Sequence, residues 1–391
     1  MAWKTVVDQP RVVDALKRAI DSQRVAHAYL FYGPDGTGKR AAALAFAQAL
    51  QCAEGSSEPC ERCESCRKVG ALIHPDVHLL MPYPKDTDAS DVAERIKRLA
   101  ANPYAAVDFV RRPSLDDPSK TSNKQVMYHL QRINEELRRS MSYKPVEGRY
   151  KFVLIMDAHL MNARSANAFL KLLEEPGEQT VFVLTAPRVD QLLPTILSRC
   201  QRLRFDPLSA DGLAEALENR EEIDARKAQT YARMADGSYT RALDLLENED
   251  LMIHREMVVD FMRYSFIRKT DKVADLVQEI QRLGRERVKG LLQLMLSWIR
   301  DLVLYKTLGA DAPLVNVDQA EAIARFCSNV PDADLEAMTE LVEDAIMLTE
   351  RNVHLGLVLM SLATSLRKAM RGHHEGRLYV PLADPSAMVE A

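Results

Sequence analysis

Residues 28–50 read AYLFYGPDGTGKRAAALAFAQAL. An apolar run of strand length leads into a glycine loop, and an alanine-rich helical segment follows. Gly33, Gly38 and Lys39 fit the pattern G-x-x-x-x-G-K-[ST] of a phosphate-binding loop, in which backbone N–H groups surround phosphate oxygens. Such a loop lies between a strand and a helix, and this context is present here. The stretch therefore predicts a P-loop α/β domain.

The loop departs from its pattern at one position. Arg40 stands where a serine or threonine would offer a hydroxyl to Mg2+, and its charge and bulk compete with that ion. A second apolar run, KFVLIMD at 151–157, ends in Asp157, the place of a magnesium-organising carboxylate. Ala158 follows where a hydrolase needs a further carboxylate. Both departures argue against ATP hydrolysis by this chain, and they leave open whether ATP and Mg2+ bind.

The first half of the chain alternates strand and helix patterns. Apolar runs lie at 28–32, 151–157 and 180–186, and a helical pattern over 162–175 ends at Pro176. Uninterrupted apolar runs are typical of strands that are buried on both faces. We therefore predict a parallel sheet with helices on both faces.

The second half contains only helical patterns. Strand signals end near 205–212, and the stretch up to about residue 370 predicts helices. One helix is predicted to end at Gly309, and its apolar face carries Leu291, Leu294, Trp298, Leu302 and Tyr305. The predicted domains are a P-loop domain at 1–207 with a cysteine module at about 52–66 and a surface insertion at about 84–121, a small helical lid at 208–250, an all-α domain at 251–375 and a flexible tail at 376–391.

Four of the six cysteines lie within fifteen residues. Cys52, Cys60, Cys63 and Cys66 follow the spacing C-x7-C-x2-C-x2-C, which supplies the four thiolates of a closed, structural zinc site. An iron–sulfur run would continue with a fourth cysteine three residues on and a proline, and neither is present. Unliganded or redox-active cysteines are the remaining alternative.

Composition bounds the class of protein. The 391 residues are 47% apolar with a net charge of -4, so there is no basis for wholesale electrostatic binding of nucleic acid or membrane. The N-terminus lacks the apolar run of a signal peptide, and the apolar stretch 355–366 is too short to cross a bilayer. The sequence predicts a cytoplasmic protein with no membrane partner.

Several stretches together resemble one family. In order they are HAYLFYGPDGTGK at 27–39, the cysteine module, LIMDAHLMNARSANAFLKLLEEP at 154–176 and LPTILSRC at 193–200. In this order and with these separations, the stretches resemble the AAA+ clamp-loader subunits of bacterial DNA polymerase III. The resemblance covers most of the chain. The gamma/tau motor subunits would show Gly-Lys-Thr/Ser and Asp-Glu, so Arg40 and Ala158 favour the delta-prime family.

The resemblance implies roles for particular residues. Arg199 would act in trans as an arginine finger on ATP that a neighbouring motor subunit binds. A degenerate nucleotide site would contain Gly33, Gly36, Gly38, Lys39, Asp157, Thr185 at the first sensor and Arg241 at the second. The four-cysteine module would hold structural Zn2+.

The resemblance also implies partners and a task. The all-α domain would form a collar with the gamma/tau motor and delta subunits, and the ring would load a sliding clamp onto primer–template DNA. The chain would be a component of the DNA polymerase III holoenzyme that is not catalytic alone. Two other functions stay open: an active gamma/tau-like ATPase in which His159 replaces the missing carboxylate, and a zinc-stapled DNA-binding module.

Overall fold

The computed structural model describes residues 3–116, 124–129, 137, 143–247, 251–351, 353–373 and 377–378. The chain divides into two compact units, Met1–Leu245 and Leu246–Ala391. Two predictions lie partly outside the described residues: the insertion, at 117–121, and the tail, at 376 and 379–391.

The first unit is built on a sheet of five parallel strands. Its spatial order is β2-β3-β4-β1-β5, and the two central strands pair with Leu30 opposite Leu184. The strands are β1 (Ala28–Tyr32), β2 (Val77–Leu80), β3 (Lys151–Ile155), β4 (Thr180–Ala186) and β5 (Gln201–Arg204). The three strands predicted from apolar runs are confirmed. The two that were missed are short edge strands, which need less apolar surface than central ones.

Helices cover both faces of this sheet, as predicted. On one face Phe46 packs edge-to-face on Phe152, with ring centroids 6.1 Å apart. On the other face Phe169 packs on Phe182 at 5.5 Å. The helices of this unit are α1 (Pro10–Asp21), α2 (Lys39–Gln51), α3 (Glu64–Gly70), α4 (Ala89–Ala101), α5 (Ala163–Glu174), α6 (Pro194–Leu197), α7 (Ala210–Glu221), α8 (Ala225–Met234) and α9 (Tyr239–Glu247). The P-loop α/β fold is therefore confirmed.

The described part of the 84–121 stretch contains one helix, α4, followed by an irregular segment. Leu99 of α4 is buried, and so are Tyr104, Val107 and Phe109 beyond it. The guanidinium of Arg95, also buried, lies 3.6 Å from the ring centroid of Phe109. This stretch thus contributes apolar side chains and a buried cation to the first unit.

The second unit is all-helical in its described residues. Its helices are α10 (Leu251–Phe266), α11 (Thr270–Arg282), α12 (Arg285–Leu308), α13 (Ala320–Asn329), α14 (Leu335–Glu350) and α15 (Leu355–Ala369). The predicted stop of α12 at Gly309 is confirmed, and that glycine has a φ of +72°. Among the residues that the structure describes, no helix has the length and apolarity to cross a lipid bilayer.

Helix α12 is buried more widely than the predicted stripe. Leu291, Trp298 and Leu302 are buried as expected, but Leu292 and Ile299 are buried as well. These two residues lie on a different side of the helix. Neighbouring helices contact α12 on more than one side. A single periodic apolar face therefore predicts only part of the surface that α12 buries.

A buried carboxylate fixes the segment that leads into β3. Asp76 accepts backbone N–H bonds from Val146, Glu147 and Gly148 at 2.7, 2.8 and 2.7 Å. Burial alone would raise the pKa of Asp76, but these three N–H groups outweigh it and hold the pKa below its ordinary value. The folded chain therefore favours the charged form.

We expect Asp76→Asn to destabilise the first unit by about 2–3 kcal/mol at pH 7, because an amide cannot accept all three bonds. The folded pKa is the lower one, so the wild-type advantage is present above the unfolded pKa and is lost as the pH falls through the folded value. Urea unfolding at pH 7 and at steps below pH 4.5 measures both effects. Asp86→Asn, at an exposed position, is the control; equal stability of the Asp76 and Asp86 variants would contradict the prediction.

Candidate functional site

The phosphate loop joins β1 to α2 and has the backbone of a glycine-rich turn. Gly36 and Gly38 have φ values of +77° and +96°, in the region that side chains disfavour. A Cβ on Gly36 would lie 2.0 Å from Ser238 Oγ, and one on Gly38 would lie 2.8 Å from Tyr104 Oη. Both glycines are therefore required by conformation and by close approach.

Lys39 begins α2 and folds back over the loop. Its Nζ donates hydrogen bonds to the carbonyl oxygens of Gly33 and Pro34, the latter at 2.6 Å, and lies 3.6 Å from Asp35 Oδ1. The side chain is 6% exposed. Burial lowers the pKa of Lys39 to about 8, against the opposing effects of Asp35 and Asp157. Its donors are thus directed to the loop itself.

Arg40 is held in place beside the loop. Its Nη2 donates to the carbonyl oxygen of Ala105 at 3.0 Å. Burial raises the pKa of Asp157, while the charge of Arg40 opposes that rise. The Arg40 guanidinium therefore supplies positive charge near Asp157, as a magnesium ion would in an intact site.

Asp157 follows β3 and has a left-handed backbone, with φ +53° and ψ +50°. Its N–H donates to Thr185 Oγ1 on β4 at 2.9 Å, so the residue that was predicted to be the first sensor contacts the carboxylate-bearing turn directly. Ala158 is buried, and His159 lies one residue on. The Nδ1 atom of His159 is buried without a hydrogen-bond partner among the described residues.

A cavity of about 130 Å³ lies over the loop. Ligand pockets typically measure roughly 300–1,000 Å³, so this one is small for a nucleotide. It is lined by Asp35, Gly36, Gly38, Lys39, Arg40, Pro103, Tyr104, Asp108, Val110, Arg111, Asp157, His159, Leu160, Thr185 and Thr240. Both cationic and anionic side chains line its wall.

The structure brings five of the predicted nucleotide-site residues to this cavity: Gly36, Gly38, Lys39, Asp157 and Thr185. Gly33 is absent from the lining, and its N–H donates to the Ala186 carbonyl at 3.2 Å. Arg241 also lies outside the lining and is exposed at the start of α9.

Among the lining residues that sequence reasoning missed are Tyr104, Asp108 and Arg111. Asp108 and Arg111 form an ion pair at 2.8 Å. The charged sequence DFVRR at 108–112 was the available signal, but it lies far along the chain from the loop. Only the packing of 84–116 against the loop reveals their position.

Arg199 follows α6 at the surface. Its side chain is 34% exposed, and its Nη2 donates to Glu174 Oε1 at 2.7 Å. A second bond joins Nη1 to the Thr195 carbonyl at 2.9 Å. Glu174 ends α5, so the two helices α5 and α6 together hold the guanidinium in a defined place. Nη1 also donates to Ser198 Oγ at 3.3 Å.

The four predicted cysteine ligands come together as a cluster. The sulfur atoms of Cys52, Cys60, Cys63 and Cys66 all lie within 4.8 Å of one another. Tetrahedral ligation with Zn–S bonds of about 2.3 Å would separate the sulfurs by about 3.8 Å, so a small contraction closes the site. Backbone N–H groups of Cys60, Cys63 and Cys66 each donate to the preceding cysteine's sulfur at 3.4 Å. The donor set fits a metal ion.

Burial alone would raise the pKa of the Cys63 thiol, but N–H groups of Ala53 and Cys66 and the adjacent thiols lower it to about 6. A thiolate is therefore favoured at Cys63, whereas burial and hydrogen bonds with the neighbouring thiols raise the pKa of Cys66. The cluster is tied to α2, because Gln48 Nε2 donates to the Cys66 carbonyl at 2.9 Å.

Comparison with known families identifies two regions. A family described as DNA polymerase III, delta subunit, matches residues 8–209, and one described as DNA polymerase III, delta subunit, C terminal, matches residues 263–367.

Individual relatives agree with these matches. DNA polymerase III subunit delta' of Bacillus subtilis (strain 168) is 31% identical over 270 residues, which are 69% of this chain and 69% of that protein. The tau subunit from the same organism is 26% identical over 365 residues, covering 87% of this chain and 57% of that protein. The solved structure of the B. subtilis DNA clamp loader delta protein has 12% identity and a TM-score of 0.33 over 91% of this chain and 99% of that one, which is too low to carry an argument.

Proposed function

Because the chain belongs to the delta-prime subunits of the bacterial DNA polymerase III clamp loader, we propose that it is an ATPase-inactive AAA+ scaffold that presents Arg199 to ATP on a neighbouring motor subunit. Its place of action is the cytoplasm, where chromosomal replication occurs in bacteria. Its partners are the gamma/tau motor and delta subunits of the loader. The assembled ring, rather than this chain alone, engages the sliding clamp and primer–template DNA.

The observation that carries the inactive-site proposal is the position of Arg40. A magnesium-binding hydroxyl is absent there, and the guanidinium that replaces it donates to Ala105 in the wall of the cavity. Ala158 removes the second carboxylate that hydrolysis requires. With Lys39 bonded to loop carbonyls, neither the metal nor the outer phosphates of ATP have a prepared place.

Support for the arginine finger comes from Arg199. The guanidinium is partly exposed and is oriented by a carboxylate, Glu174, that phosphate oxygens could replace. A planar guanidinium matches phosphate geometry with two parallel N–H donors. In this proposal Glu174 is a positioning residue and Arg199 is the group that touches the partner's nucleotide.

For the cysteine cluster we propose structural Zn2+. Four sulfur donors and no open ligand position are typical of a structural zinc site. When bound, the ion contributes folding energy and performs no chemistry. The protein's part is to hold four thiolates between the end of α2 and α3.

We expect the purified chain to hydrolyse ATP no faster than a buffer control, and we expect Lys39→Ala to leave the ATPase rate of the reconstituted loader unchanged. The reason is that this chain has Arg40 in place of the magnesium-binding hydroxyl and Ala158 in place of the second carboxylate. The corresponding lysine variant of the motor subunit is the matched comparison and should abolish turnover. Loss of loader ATPase on changing Lys39, with assembly intact, would contradict the inactive-site proposal.

One observation favours the enzymatic alternative. His159 lines the cavity, and its buried Nδ1 has no hydrogen-bond partner in the described part of the chain. If the pure chain hydrolyses ATP and His159→Gln removes that activity, the chain is an ATPase with a substituted base. Absence of turnover in the same assay excludes this alternative.

A further inference from the structure

Residues 102–112, here called the cover segment, lie over the phosphate loop. Pro103, Tyr104, Asp108, Val110 and Arg111 supply part of the cavity wall. The cover segment belongs to the stretch between β2 and β3 to which the family resemblance assigns no role.

The cover segment contacts the phosphate loop at two points. Tyr104 is 2% exposed, and its hydroxyl lies so close to Gly38 that a Cβ there would be 2.8 Å away. The same hydroxyl accepts a hydrogen bond from the N–H of Val7 at 2.9 Å. One residue on, the carbonyl oxygen of Ala105 accepts a hydrogen bond from the guanidinium of Arg40. The first turn of α2 is thus held by protein groups.

The cover segment also contacts α9, the helix that carries the second-sensor position. The Tyr104 carbonyl accepts from Thr240 Oγ1 at 2.7 Å, and the Tyr104 and Tyr239 rings lie 4.8 Å apart. Arg112 Nη2 pairs with Asp244 Oδ1 at 2.9 Å. The same short segment therefore joins the phosphate loop to α9.

Helix α4 keeps the cover segment rigid. Arg95, fully buried, donates to the carbonyl oxygens of Val107 and Arg112 at 2.9 and 2.8 Å, and its guanidinium stacks on Phe109. A buried cation with several fixed acceptors is costly to displace. A nucleotide entering the cavity would have to move this support as well as Tyr104.

The charges in the cavity also oppose a nucleotide. Three carboxylates, Asp35, Asp108 and Asp157, line the wall together with three cations, Lys39, Arg40 and Arg111, which already have protein partners or neighbouring carboxylates. Phosphate oxygens would bring further negative charge next to three carboxylates. The cavity is therefore charge-compensated without ligand.

We propose that the cover segment occupies the place of a nucleotide: it fixes the phosphate loop to α9 and holds the subunit in one conformation with no bound ATP. The connection is made by groups of the chain itself and therefore does not require a nucleotide. The inference rests on the proposed ATPase-inactive role and adds a physical cause for it.

Hydrogen exchange of the full-length chain tests this, read in peptides that cover 33–41 and 239–245. In the wild type we expect protection of both peptides without nucleotide, and no change with millimolar MgATP. In the double variant Arg112→Ala, Thr240→Val we expect exchange of both peptides to rise about tenfold or more, because local opening no longer has to break the connection. Lys97→Ala, an exposed change on α4, should leave both peptides unchanged.

Tyr104→Phe and Tyr104→Ala form a second pair. The phenylalanine variant keeps the ring against Tyr239 and loses only the hydroxyl, with its bond to Val7 and its contact at Gly38, so we expect most protection to remain. The alanine variant should lose protection of 33–41 while peptides of β3 and β4 stay protected, which shows that the domain is folded. Unchanged exchange of 33–41 in both the alanine and the double variant would overturn the proposal.

The outcomes separate this inference from the proposed function. If MgATP increases the protection of 33–41 in the wild type without turnover, the proposal that the cover segment occupies the place of a nucleotide is wrong. The proposal of an ATPase-inactive scaffold would then still hold. Hydrolysis by the pure chain would overturn both. Loss of protection in the variants together with an ATP-insensitive wild type supports both.

Discussion

Arg199→Ala in an otherwise complete clamp loader should remove the neighbouring motor site's contribution to DNA-stimulated ATP hydrolysis. An arginine finger is worth about 10³-fold or more at its own site, so that site becomes effectively silent. The rate of the whole loader falls by less, because other motor sites have their own fingers. In the described structure the guanidinium pairs with Glu174, and we propose that in the ring it exchanges that carboxylate for phosphate oxygens.

The measurement is steady-state ATPase with primed DNA and clamp, after gel filtration has confirmed that wild-type and variant loaders assemble equally. Arg188→Ala is the matched control, since Arg188 is an exposed arginine that pairs with Asp190 on the same domain. Arg199→Lys should rescue only a small part of the rate, because an ammonium lacks the planar pair of donors. An unchanged rate in the fully assembled Arg199→Ala loader would remove Arg199 from the neighbour's site.

The second large effect that we expect is a loss of stability when the metal is removed from the four-cysteine cluster. We expect one Zn2+ per chain, and we expect Cys66→Ser to abolish binding and to unfold the segment around 52–66. Cys52 and Cys66 are fully buried. In the same segment, the Ser57 carbonyl oxygen accepts a hydrogen bond from the indole N–H of Trp3 at 2.7 Å. Its loss therefore loosens the end of α2 and the N-terminal turn together.

The cost in unfolding free energy should be on the order of a few kcal/mol. It stays well below the ~10–16 kcal/mol of zinc binding in small metal-dependent domains, because the sheet has its own core. Metal content by mass spectrometry and thermal unfolding with and without chelator measure the effect. Cys327→Ser, which changes a cysteine in the second unit, is the control and should retain the metal. Purified chain with no bound metal and no response to chelator would contradict the assignment.

Local sequence was sufficient for much of the first unit. The apolar run before Gly33 and the alanine-rich segment after Lys39 predicted β1 and α2, because burial on both sides of a strand and glycine geometry are local requirements. The spacing of the four cysteines likewise predicted their cluster, since short loops bring such residues together in almost any fold. Edge strand β5, with mostly exposed residues, gave no such signal.

What only the tertiary structure decided are contacts between residues far apart in the chain. Arg112 pairs with Asp244 across 132 positions, and the Tyr104 ring packs against Tyr239, although neither stretch has a pattern that specifies the other. Glu174 orients Arg199 in the same way. Periodicity and motifs report burial and local conformation, whereas the closing of the phosphate loop depends on which surfaces packing brings together. The sequence by itself thus determined a P-loop domain with an altered loop, and the fold decided what covers it.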